Sequence, residues 1–152
     1  MQRSTRSQVH FEVPHPILVC TYTNIAVDNL VEGLALSGIK PLRVGFSGKV
    51  KSSLVEHTLD HKLEKHVLKP ELDKLAKKEQ GLQNRIESLK KKLEESRKCH
   101  SENPPSSERL QMMSITAERE HEAVKARMYA LHQQMLRDVV AKADVVCRCS
   151  LL

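Results

Sequence analysis

The chain has 152 residues, a formal net charge of +6, 29% charged residues and 3% aromatic residues with no tryptophan. That length makes one ordinary domain only if most of it packs into a single core. So much charge beside so few aromatics points instead to a small apolar part joined to a long, water-exposed helical region, with no apolar run of membrane-spanning length and a charge that favours an anionic partner, nucleic acid first among them.

In chain order, residues 1–16 have mixed polarity and no period and are expected to form a disordered arm. Its arginines lack the apolar stretch of a secretory signal, and the cysteines, Cys20, Cys99, Cys147 and Cys149, make no C-x-x-C pair. The expected setting is therefore reducing and intracellular, in nucleus or cytoplasm. Ile17 to Cys20 reads as a buried strand ending in a polar loop, Thr21-Tyr22-Thr23-Asn24. Asn24 or Thr23 then caps a helix running to Leu36, with Gly38 as its stop. Leu42 to Gly45 reads as a second strand, so residues 17–45 predict adjacent parallel strands joined by a helix in a right-handed crossover. In such sheets ligands bind beyond the carboxyl ends of the strands, at the strand-to-helix joint.

The next segment, Phe46 to Ser53, imitates a phosphate-binding loop without the spacing for one. Gly45 and Gly48 have two residues between them rather than four, and Val50 follows Lys49 where a serine or threonine would hold magnesium. What remains is a basic loop, and Lys49 and Lys51 are candidates for nucleic-acid backbone contact, against the alternative of a solvated linker. His57 and His61 stand four apart beside Asp60, but Thr58 replaces the glutamate of a zinc-protease pattern and no third ligand is evident, so no metal site is assigned.

From Ser53 the chain reads as helical. Leu68, Leu72, Leu75, Glu79, Leu82, Ile86, Leu89 and Leu93 alternate gaps of four and three, the seam of a coiled coil. The prolines at 104 and 105 end that helix, and a second is expected from Ser106 or Ser107, carrying Leu110, Met113, Ala117, Val124, Met128, Leu131, Met135 and Val139. Folding the two about the turn at 99–107 sets Leu89 near Ala117, Leu82 near His121 and Glu79 near Lys125. The result is an antiparallel hairpin with arms of about 45 Å. The cluster Lys90-Lys91-Lys92 with Arg97 and Lys98 reads first as its solvated face. Ala143 to Cys147 returns as a third short strand. The organisation read from these segments is an α/β part over 17–61, a helical hairpin stalk over 62–142 and a returning strand with the chain's end over 143–152.

The run Ile-Leu-Val-Cys-x-x-Thr-Asn-Ile-Ala-Val-Asp-Asn-Leu from Ile17 to Leu30, with Leu42-Arg43-Val44-Gly45 and Ala143-Asp144-Val145-Val146-Cys147, resembles the first RecA-like domain of superfamily-1B helicases, in the branch of the nonsense-mediated-decay and senataxin-like enzymes. The resemblance implies a partial P-loop-type parallel sheet with a stalk insertion. It also implies single-stranded RNA or DNA as partner beside the remainder of the helicase core, and backbone contacts from Thr23 and Asn24. ATP and magnesium belong to the full-length family; the P-loop and the Asp-Glu pair that use them are not in these residues, so no catalytic residue is assigned and the chain alone is expected to be inactive. Arg148 stands where the family has a threonine. The alternative is an interaction protein whose hairpin pairs with another helical partner without ATP chemistry. A third reading is a basic nucleic-acid binder acting through the stalk lysines.

Overall fold

The structure is a computed structural model describing residues 16–46, 50–98 and 104–150. Residues 1–15 of the expected arm over 1–16, Lys49, Cys99 and the turn up to residue 103 lie outside the described residues. The chain divides into two units, Met1–Glu64 with Arg137–Leu152, and Lys65–Leu136.

The first unit is α/β, with three parallel strands: β1 (Ile17–Thr21), β2 (Pro41–Val44) and β3 (Val145–Cys149), ordered β1-β3-β2. The expected adjacency of β1 and β2 is therefore wrong, since β3 lies between them, with Val145 opposite both Ile17 and Pro41. The physical reason lies at Asp144. Its backbone N–H donates to the Lys40 carbonyl (3.0 Å) while its Oδ2 accepts from the Lys40 N–H (2.9 Å), and its own carbonyl accepts from the Ile17 N–H (3.0 Å). One residue thus pins the start of β3 to both neighbours. At the far end, the Ser150 N–H donates to the Thr21 carbonyl (2.7 Å). A local hydrophobic pattern shows that a strand exists but carries no information on its lateral neighbours.

Helix α1 (Asn24–Leu36) packs Val27 and Val31 against Val145, Cys147 and Cys149, with Leu54 of the 3-10 turn Ser52–His57 closing the core. Each such side chain contributes about 1.5–3 kcal/mol on full burial. Strand β1 is more open, with Ile17 50% and Leu18 64% exposed. A short α2 (Leu59–Glu64) follows the 3-10 turn.

The cysteines report on this arrangement. Cys20 is exposed, whereas Cys147 is buried in the central strand, where loss of solvent pushes its thiol pKa up. Since the thiolate is the reactive form, N-ethylmaleimide is expected to modify Cys20 in the folded chain and Cys147 only in urea, by peptide mass mapping. Equal labelling of the two without denaturant would contradict the central position of β3.

The second unit contains α3 (Lys69–Lys98) and most of α4 (Pro104–Ala141). Pro70 sits in the first turn of α3, and α4 begins at Pro104 rather than at Ser106 or Ser107. A first-turn N–H has no intrahelical partner to lose, so proline begins a helix as readily as it ends one. Ile86, Leu89 and Ala117 form a buried cluster with Leu110 packed on it. Polar pairs flank it: Glu71 with Arg127 (3.1 Å), Glu79 with His121 (2.8 Å) and Lys90 with Glu118 (3.0 Å). Rising numbers on α3 meet falling numbers on α4, so the helices run antiparallel. Glu79 does not meet Lys125 as expected. His121, one turn earlier, lies inward with a side chain 12% exposed, while the longer Lys125 turns to solvent and to Glu122 (3.6 Å). Among the described residues no helix is long and apolar enough to cross a membrane.

Candidate nucleic-acid interface

Strand β1 ends at Thr21, and the chain turns into α1 through Tyr22 and Thr23. Thr23 is the N-cap, in extended conformation (φ −132°, ψ 151°), and its Oγ1 accepts from the Ala26 N–H (3.2 Å). The Thr21 hydroxyl donates to the Thr23 carbonyl (3.0 Å), which holds the turn. Of the two capping candidates it is thus Thr23 that caps, and Asn24 is the first helical residue.

The side chain of Asn24 has another partner. Its Oδ1 accepts from Arg43 Nη2 (3.4 Å), while Arg43 Nε donates to Asp28 Oδ1 (2.7 Å) and Nη1 to the Phe46 carbonyl (3.1 Å). Arg43 is 2% and Asp28 5% exposed. One buried guanidinium therefore ties the first turns of α1 to β2 and to the chain just beyond it. A burial this complete requires the ion pair and the further acceptors that surround it.

The arrangement fixes which way Asn24 presents its amide. Arginine has donors only, so the amide oxygen faces it and the Nδ2 donor is directed away. Thr23 Oγ1 accepts from Ala26, which leaves its hydroxyl proton to be given elsewhere. Both donors lie at the positive end of α1, where an anionic oxygen is favoured. Tyr22, just before Thr23 in the chain, and Phe46, whose carbonyl accepts from Arg43, are 79% and 68% exposed.

The other predicted residues are not gathered here. Lys51 pairs with Glu32 (3.1 Å), eight residues and so about 12 Å along α1 from Asn24. His57 closes the 3-10 turn and His61 lies in α2, separated by Thr58, whose Oγ1 donates to the Val55 carbonyl (2.6 Å) and accepts from the His61 N–H (3.3 Å). The i, i+4 helical face is thus not formed, and among the described residues no three His, Cys, Asp or Glu side chains gather as a metal site. The sequence alone reads Arg43 only as a strand residue and gives Asp28 no partner. The available signal was a lone cation inside the apolar run Leu42 to Val44, which in a covered strand needs a buried partner.

The model of the family described as AAA domain matches residues 2–150. Over 44 residues the chain is 46% identical to the DNA polymerase alpha-associated DNA helicase A of Schizosaccharomyces pombe, which covers 29% of this chain and 7% of that protein. It is 48% identical, again over 44 residues, to the DNA-binding protein SMUBP-2 of Rattus norvegicus, covering 29% of this chain and 4% of the relative. The match thus spans less than a tenth of either relative's length. The chain belongs to the AAA domain family, and its resemblance is to the superfamily-1B helicases within it.

Proposed function

We propose that the chain forms part of a helicase-type, partial RecA-like domain in which the corner from Thr21 to Asn24 holds the backbone of a single nucleic-acid strand. The observation that carries this reading is the hydrogen bond from Arg43 to Asn24 Oδ1, which commits the opposite end of the amide to donate outward beside the Thr23 hydroxyl. The exposed rings of Tyr22 and Phe46 suit the faces of adjacent bases. Lys49 and Lys51 belong to a peripheral part of the same contact. The names of both relatives speak of DNA, which favours DNA over RNA. On this reading residues 62–142 are a coiled-coil stalk inserted in sequence into the α/β part formed by 17–61 and 143–152. ATP and magnesium serve the whole enzyme. No Gly-x-x-x-x-Gly-Lys-Thr occurs in the 152 residues, so this chain alone grips without hydrolysing ATP.

Fluorescence anisotropy with a fluorescein-labelled 20-mer of oligothymidylate tests the grip. A hydrogen bond to a charged group contributes about 1.5–3 kcal/mol, so Asn24→Ala is expected to weaken binding at least about tenfold. Asn24→Asp, which sets a carboxylate against phosphate, weakens it further. Unchanged affinity in both variants refutes the reading.

A further inference from the structure

Helix α3 carries a second feature that the Thr23–Asn24 corner does not use. Lys74, Lys78, Arg85 and Lys92 are all exposed, and none has an ion-pair or hydrogen-bond partner among the described residues. At 3.6 residues per turn, the 18 residues from Lys74 to Lys92 are five full turns, and the intermediate cations fall within about 40° of the same line. The row is about 27 Å long. Between its cations on that line stand only Gly81 and Ser88, and a Cβ at Gly81 would meet nothing within 4 Å. Of the carboxylates on α3, Glu71 is engaged by Arg127, Asp73 by Lys69 and Glu79 by His121, and Glu87 accepts from Gln83, while Glu95, one turn beyond Lys92, stands on the flank of the row. Lys90, read in sequence as one run with Lys91 and Lys92, points to the other flank and pairs with Glu118.

We infer that this row is a second track for single-stranded nucleic acid, held through its phosphates. Four cations in line, with only small residues and no carboxylate on the line between them, complement a linear polyanion. The straightness of the row selects the single strand. Over about 27 Å a duplex strand advances roughly eight steps of 3.4 Å, about three-quarters of its turn of 10–10.5 base pairs, and winds away from a straight line of charges. A flexible single strand can follow the line throughout.

Salt titration of the full chain with the labelled oligothymidylate 20-mer tests the inference. Each phosphate neutralised on a single strand contributes about −0.7 to the slope of log K against log salt, so four contribute about −2.8. Through these charges alone, affinity falls about 50-fold between 50 and 200 mM salt. The variant K74Q/K78Q/R85Q/K92Q is expected to lose about that much slope while keeping its helical circular dichroism. The charge-matched control K65Q/R119Q/R137Q/K142Q, drawn from exposed cations off the row, is expected to lose less than about 1 unit. Asn24→Ala, by contrast, weakens binding with little change in slope, which separates failure of the row from failure of the corner. Equal loss in the row and control variants overturns the inference. So does a 20-base-pair duplex, or an anionic phosphatidylserine vesicle, that binds through the row more tightly than the single strand.

Discussion

Asp28→Ala is expected to remove about 3–5 kcal/mol of stability, because it leaves Arg43 buried at 2% exposure with its charge uncompensated. Against the roughly 5–15 kcal/mol that holds an ordinary domain together, that is a large share, and at about 2–4 °C per kcal/mol it lowers Tm by roughly 6–20 °C. The remaining partners cannot make up the loss. The Phe46 carbonyl and the Asn24 amide oxygen are neutral acceptors, and the 3.4 Å bond to Asn24 is long. Replacing both members of a buried pair by apolar side chains is often neutral, so Asp28→Leu combined with Arg43→Met is expected to recover most of the stability. The double variant still lacks the donor that orients Asn24, and its oligonucleotide affinity should stay close to that of Asn24→Ala. Thermal melts followed at 222 nm, with anisotropy on the same samples, distinguish a pair that only holds the fold from one that also sets the grip. A single variant as stable as the parent, or a double variant with parental affinity, contradicts the role given to Arg43.

These residues also show where sequence reading ends. The elements themselves were legible, because apolar spacing and punctuation are local: the strand before Thr21, the helix from Asn24 to Leu36, and the apolar spacing of α3 follow from residues within a few turns of one another. The order β1-β3-β2 was not legible, since it is decided by Asp144, more than a hundred residues from its partner Lys40. The same holds for the site. Thr23 and Asn24 stand out in sequence as helix-cap candidates at the strand-to-helix joint and, through the resemblance, as candidate contacts, but the arginine that orients Asn24 lies on another strand, and its pairing with Asp28 spans fifteen residues with no local period. The partner of Glu79 was missed by one helical turn, because lining up apolar positions fixes which faces meet but not which of two polar side chains reaches inward. Position along a helix, and not the run of lysines in sequence, separates Lys90 from Lys92.

Ala117→Asp is expected to have an effect of similar size in the second unit. Ala117 is 2% exposed and packs with Ile86 and Leu89, so the introduced carboxylate meets apolar side chains, while Lys90, next to Leu89 on the facing helix, is engaged by Glu118. Burying an unpaired carboxylate costs several kcal/mol, or else the group takes up a proton. The sign of the pH dependence follows. Burial raises the folded-state pKa of the introduced group above its unfolded value near 3.9, so the full penalty applies above the raised pKa and is relieved as pH falls through it. The urea midpoint of helicity at 222 nm should thus lie well below the parent's at pH 7.5 and approach it near pH 4.5, while Ala117→Ser costs only about 1–3 kcal/mol at either pH. The parent chain measured at protein concentrations a hundredfold apart decides what the buried cluster joins. If α3 and α4 bury Ile86, Leu89 and Ala117 within one molecule, the midpoint does not move. If the helices were built to pair with a second copy, the midpoint would rise with concentration and Ala117→Asp would abolish that rise, because only association gains stability from mass action.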